Sequence, residues 1–167
     1  IKNILFVMTC FSNFEINMPN FNSNMYQTDY LYKILSTLTK LGFDVTTKPH
    51  PECKFGLPKK IKELLKLNVE NSSFENCYTK YDCIIIDYFR SSVTRNILYS
   101  NKPIIIIDHN NNIFAPQVFQ NLKKRASIMK IGNSNKRARI GEKEMMRNIQ
   151  ESLKKNSDLN YLKMFYS

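Results

Sequence analysis

Two stretches constrain this chain more than any other: CIIID at 83–87 and PIIIID at 103–108, apolar up to a closing aspartate. A β-strand turns successive side chains to opposite faces. A strand with no polar alternate must be covered on both sides, the condition of a central strand in a parallel sheet with helices on each face. The surrounding pattern agrees. NILFVM (3–8), FDVTTK (43–48) and SIMKIG (127–132) read as further strands and LNVEN (67–71) as a weaker one, with helical periodicity between them. Thr28 or Asp29 is placed to cap a helix in which Leu31, Ile34, Leu35, Leu38 and Leu41 share a face, and Gly42 ends it. Pro58 suits the first helical position of the next, and Ser91 or Ser92 heads a short helix to about Tyr99. Residues 115–125 turn Val118, Phe119 and Leu122 inward, and a last helix from about Gly141 to Lys155 uses Met145, Met146, Ile149 and Leu153. This alternation predicts an α/β fold with a doubly wound, mostly parallel sheet, in one domain spanning 1–167 with a substantial core.

The charge is uneven. Of the formal net charge of +11, residues 91–167 carry +9, from 14 Lys and Arg against 5 Asp and Glu. Such a half should face something anionic: a nucleotide phosphate, a polyanionic polymer, acidic lipid or nucleic acid. Its densest part, KKRASIMKIGNSNKRARIGEK at 123–143, reads as an electrostatic docking surface or a solvated face. Nucleic acid is not favoured, because Phe114 and Phe119 fall at core-like spacing and no recognisable module is present. Cys10, Cys53, Cys77 and Cys83 form no C-x-x-C pair, and neither histidine stands at ligand spacing to a cysteine pair. A reduced, cytoplasmic protein without a metal site is therefore expected. No apolar run approaches the roughly 20 residues of a membrane-spanning helix, and KNILFVM is too short for a signal peptide. Glycine-rich phosphate loops, G-x-S-x-G and H-E-x-x-H are all missing from the sequence. With only four glycines, any phosphate must be held by side chains and helix N-termini.

In a doubly wound sheet, ligands bind outside the carboxyl ends of the strands. There the chain delivers Thr9–Ser12, KPHPE (48–52), DYFRSS (87–92) and DHNNN (108–112). His50 stands between Pro49 and Pro51, which leave its backbone little freedom. It can donate to a phosphate oxygen or merely occupy a turn. Ser91 and Ser92 offer hydroxyls beside free helix N–H groups, an anion site or a plain N-cap. Arg90 can pair with a diphosphate or be solvated. Asp87 and Asp108 can simply satisfy loop amides, and His109 reads as an exposed loop residue or a ligand contact.

KPHPE followed by YDCIIIDYFRSSVTRNILYSNKPIIIID resembles the C-terminal half of bacterial GT-B transferases that build surface polymers. The pattern is most similar to the CDP-glycerol glycerophosphotransferase and related surface-polysaccharide transferase group. Those proteins read K-P-H-P, then D-x-x-I-x-D-Y-S-S, a short helix, and K-P-I-I-x-x-x-D. The resemblance covers residues 43–108. It implies a Rossmann-like, donor-nucleotide-binding domain of a glycosyl- or glycerophosphotransferase. In it His50, Ser91 and Ser92 hold the donor phosphates and Asp87 and Tyr88 shape their loop; the reading of the residues themselves adds Arg90 as a candidate phosphate contact and Pro49 and Pro51 as site-shaping residues. The resemblance implies no metal and no cofactor beyond the nucleotide-activated sugar or polyol. DYFRSS has two more residues before the serine pair than the family pattern, and Asn96 stands near the position where related transferases carry a ribose-binding glutamate, which leaves the nucleotide open. The start at Ile1 suits the C-terminal half of a longer two-domain enzyme, incomplete alone and with its catalytic base elsewhere. The basic half would attract a polyanionic acceptor or the inner face of the membrane, where the protein would be peripheral. Two other classes stay open: a non-catalytic α/β regulatory or interaction module contacting protein or nucleic acid through its basic face, and a small enzyme acting on a phosphorylated metabolite.

Overall fold

The computed structural model describes residues 1–8, 24–50, 57–87, 89, 93–109, 115–134 and 137–155. In chain order the elements are β1 (Asn3–Val7), α1 (Asn24–Lys40), β2 (Asp44–Lys48), α2 (Lys59–Leu65), β3 (Asn68–Val69) and α3 (Phe74–Cys77). A 3-10 turn at Tyr78–Lys80 leads to β4 (Cys83–Ile86), α4 (Val93–Tyr99), β5 (Ile104–Asp108), α5 (Pro116–Arg125) and β6 (Ser127–Lys130). A hairpin of β7 (Gly132–Ser134) and β8 (Arg137–Arg139) precedes α6 (Glu142–Leu153). Six strands form one sheet in the order β3-β2-β1-β4-β5-β6, with every neighbouring pair parallel. This is the expected doubly wound, Rossmann-like α/β fold. The chain runs outward from β1 through β2 to β3, then returns to lay β4 on the other side of β1. That reversal opens a crevice at the carboxyl ends of β1 and β4.

The all-apolar strands divide by alternation between two cores. Ile4, Phe6, Met8, Cys83, Ile85, Ile105 and Ile107 pack on one face with α1, α2 and α6, through residues such as Leu31, Leu35, Ile61, Met145 and Ile149. Leu5, Val7, Ile84, Ile86, Ile104 and Ile106 pack on the other with Phe74, Cys77, Ile97, Leu98 and Leu122 of α3, α4 and α5. Cys77 and Cys83 carry buried free thiols, and burial pushes that of Cys83 up to about 12. No helix among the described residues is long and apolar enough to cross a membrane.

Four local readings differ. First, α1 begins at Asn24, so Thr28 and Asp29 lie within it rather than capping it. Asp29 pairs with Lys33 at 2.7 Å one turn on, and the two grip β8 from the side. Asp29 accepts from the Ala138 amide at 3.3 Å, and Lys33 donates to the Ala138 carbonyl at 3.0 Å. Gly42 does end the helix, at φ 85°, with the Phe43 amide donating back to the Leu38 carbonyl at 3.2 Å. Second, Pro58 is the residue before α2 rather than its first.

Third, the strand expected to run to 132 stops at Lys130, where the Ile131 side chain turns into the core and the chain enters the antiparallel hairpin. Fourth, Leu153 is exposed. The inner face of α6 is Met145, Asn148, Ile149 and Ser152, and its polar members are satisfied: Ser127 Oγ donates to Asn148 Oδ1 at 2.8 Å, and Ser152 Oγ to the Ile149 carbonyl at 2.7 Å.

The basic stretch needs one subtraction. Arg125 is 1% exposed and faces inward rather than toward a partner. Its Nε donates to the Leu98 carbonyl at 3.1 Å and its Nη2 to the carbonyls of Lys102, at 2.9 Å, and Ser100. A guanidinium thus closes the open carbonyl end of α4, where the helix dipole favours positive charge.

Candidate functional site

The carboxyl edge carries two polar groupings, one on each face of the sheet. The first is an open cleft of about 730 Å³. Its floor is Val7 and Met8 at the end of β1 and Lys48, Pro49 and His50 at the end of β2. Its walls are Glu70 to Glu75, running from β3 into α3, and Val93 and Asn96 of α4. Parallel register sets the floor: Val7 lies opposite Lys48, and the Met8 amide donates to the Lys48 carbonyl at 2.9 Å. The strand therefore releases the chain at Pro49 directly over the edge, with His50 half-buried there.

The two carboxylates of the cleft are held in place. Glu70 Oε1 accepts from the Ser72 hydroxyl at 2.6 Å and the Ser72 amide at 3.0 Å, with Lys80 Nζ 3.7 Å from Oε2. The Ser72 hydroxyl and amide are the largest causes that draw the Glu70 carboxyl down to about 2, and Lys80 and Tyr81 add to them. Glu75 sits below the ordinary carboxylate range through its own backbone N–H first, with Asn96 and Ser73 helping and the charge of Lys48 adding to them. Asn96 Nδ2 donates to Glu75 Oε1, an exposed bond between two lining residues from α4 and α3.

The Glu70 turn has a consequence for stability against pH. A carboxyl whose folded pKa lies below its ordinary 4.5 stabilises the fold above that value, and this contribution is lost as pH falls toward about 2. Wild-type protein should lose stability across this window more steeply than a Glu70→Gln variant. Urea midpoints taken from pH 5.5 down to pH 2.5 check this. Parallel curves for the two proteins would show that the turn carries no such linkage.

The second grouping lies on the α1 face. Asp87, just past β4, and His109, just past β5, meet with Nε2 3.0 Å from Oδ1, their side chains 2% and 7% exposed. A carboxylate only accepts, so His109 Nε2 carries the donated proton. Tyr30 of α1 meets the imidazole edge-on at 4.7 Å between ring centroids. Its hydroxyl is buried close to the Asp87 carboxylate, though outside strict hydrogen-bonding geometry with it. Burial first, then the charge of Asp87, raises the Tyr30 pKa well above 10.0. Tyr26, one turn earlier, is raised by burial and by Asp29 and Asp87.

His50 and Pro49 stand at the cleft as the sequence suggests, and Asp87 stands at the edge on the opposite face. Pro51, Tyr88, Arg90, Ser91 and Ser92, like Thr9–Ser12, lie outside the described residues. Val93, the residue after Ser92, lines the same cleft as His50. His109 is not an exposed loop residue but part of a buried pair. Sequence reading gave no role to Lys48 or Tyr30, although Lys48 ends a strand and opens KPHPE; Tyr30 reads as one more core position of α1. No protein-family model matches the chain, and no curated protein matches it.

Proposed function

We propose that this domain binds a nucleotide-activated sugar or polyol at the cleft. In this reading it is the donor-binding part of a metal-independent glycosyl- or glycerophosphotransferase that builds a cell-surface polymer. The observation that carries the reading is that His50, from the end of β2, and Val93 and Asn96, from the start of α4, line one cleft at the carboxyl edge of a doubly wound sheet. These are the two segments that the resemblance assigns to the donor phosphates. The cleft also falls within the roughly 300–1,000 Å³ typical of small-ligand sites.

His50 donates to a donor phosphate oxygen, with Pro49 and Pro51 restricting its backbone. Ser91, Ser92 and Arg90 complete the phosphate contacts, and Asp87 and Tyr88 shape the loop that carries them. As the nucleotide leaves, charge grows on its phosphate, and a fixed donor at that point lowers the barrier. The exposed members of the basic half, among them Lys123, Lys124, Lys130 and Arg139, suit a polyanionic acceptor or an anionic membrane face.

A charge-assisted hydrogen bond is worth roughly 1.5–3 kcal/mol. His50→Ala should therefore weaken binding of a nucleoside diphosphate by about 10- to 100-fold. Calorimetric titration with CDP, UDP, GDP and ADP, with and without EDTA, checks this. Undiminished binding to a folded His50→Ala protein would return the histidine to a turn role, and chelator sensitivity would contradict the metal-independent reading.

A further inference from the structure

Lys48 is the last residue of β2 and is 9% exposed, yet it lines the cleft, with its ammonium on the carbonyl of Ser72, another lining residue. Among the described residues its Nζ makes one hydrogen bond, to the Ser72 carbonyl, and no ion pair. An ammonium carries three donors. The described residues engage one of them. Burying a cation whose hydrogen bond among the described residues is to a neutral carbonyl is costly, and a methionine of similar volume would fit an apolar strand end at less cost. This charge lines the cleft together with His50, Glu75 and Asn96, and no described carboxylate forms an ion pair with it.

We infer that Lys48 is the principal anion-binding group of the cleft and that its ligand group is a phosphate or diphosphate. This deepens the functional reading above, since it names the cation that receives the donor phosphates, but it rests on the geometry of Lys48 alone. Glu70 is engaged by Ser72 and Lys80 and Glu75 by Asn96, and among the described residues neither forms an ion pair with Lys48, although the Lys48 charge acts on Glu75 at longer range. The two carboxylates disfavour further negative charge where a ligand extends past its phosphate toward them. A tetrahedral oxyanion at Lys48, attached to a neutral hydroxyl-bearing body beside Glu75, fits the charges of these lining residues.

The test uses inorganic pyrophosphate and CDP as probes, with cytidine and acetate as controls, on the wild type and on Lys48→Met and Lys48→Arg. Pyrophosphate and CDP should bind the wild type, and Lys48→Met should weaken both by at least about tenfold. Lys48→Arg should retain part of the affinity, and cytidine and acetate should bind weakly to all three. Lys48→Met should melt at or above the wild-type temperature, because it removes a buried charge with which no described carboxylate forms an ion pair and, among the described residues, leaves the Ser72 carbonyl without its donor. A structural lysine would not give that combination of lost binding and kept stability. If pyrophosphate binds in a Lys48-dependent way and no nucleotide binds more tightly than pyrophosphate, the anion site stands and the nucleotide reading falls. If Lys48→Met binds both probes like the wild type, if the wild type binds neither, or if Lys48→Met unfolds, the inference is overturned.

Discussion

Arg125→Ala should lower the stability of the protein by about 3–5 kcal/mol, the range for breaking a buried, hydrogen-bonded charge. The guanidinium is 1% exposed and donates to the carbonyls of Leu98, Ser100 and Lys102. Truncation removes a large side chain from between α4 and α5 and leaves these carbonyls short of donors in a dry place. At this chain length the loss corresponds to a drop in Tm of roughly 10 °C. Arg125→Lys should recover only part of it, because an ammonium cannot reproduce the planar fork that reaches several carbonyls at once. Thermal and urea denaturation of the three proteins check the order. An alanine variant as stable as the wild type would mean that water replaces the fork without cost.

Asp87→Ala should be the next most damaging change, costing about 2–3 kcal/mol. It removes the carboxylate that accepts from His109 Nε2 at 3.0 Å. The imidazole is then left with a buried donor facing a void. Asp87→Asn should cost less than half as much, since the amide oxygen can still accept. The tyrosine titration gives a second readout. The charge of Asp87 is the second cause, after burial, of the raised Tyr30 pKa, so Tyr30 should ionise at lower pH in both variants and still above 10.0. Ultraviolet pH titration alongside denaturation checks both effects. Equal stability of Asp87→Ala and wild type would show that the pair contributes nothing to holding β4 and β5 together at their carboxyl ends.

The fold was legible because its evidence is local. Cys83–Ile86 and Ile104–Ile107 are apolar on both faces, and few architectures cover both faces of a strand. The hairpin of β7 and β8 was not legible. Its strands are short and carry Gly132, Asn133 and Ser134 on one side and two arginines on the other, so no alternation distinguishes them from a loop. What stabilises it is remote in sequence, the Asp29–Lys33 grip on Ala138.

The site divides in the same way. The prolines around His50 flag it in one dimension, and the sheet order brings it to the cleft. Tyr30, Asp87 and His109 are separated by more than 20 residues at each step, and only the parallel pairing of β4 with β5 under α1 brings them together. Arg125 and Lys48 were hidden by composition. In a chain with 25 lysines and arginines a cation reads as solvated by default, and only burial separates these two from the rest.

The most direct test of a phosphate site at the carboxyl edge is a map of backbone amide shifts during a CDP titration of the 167-residue chain. Saturable shifts are expected at Lys48 and His50, from Ser72 to Glu75, and at Val93 and Asn96, with the hairpin and α6 unaffected. Shifts confined to the basic residues of α5, β8 and α6, or no saturable shift at any nucleotide concentration, would contradict it.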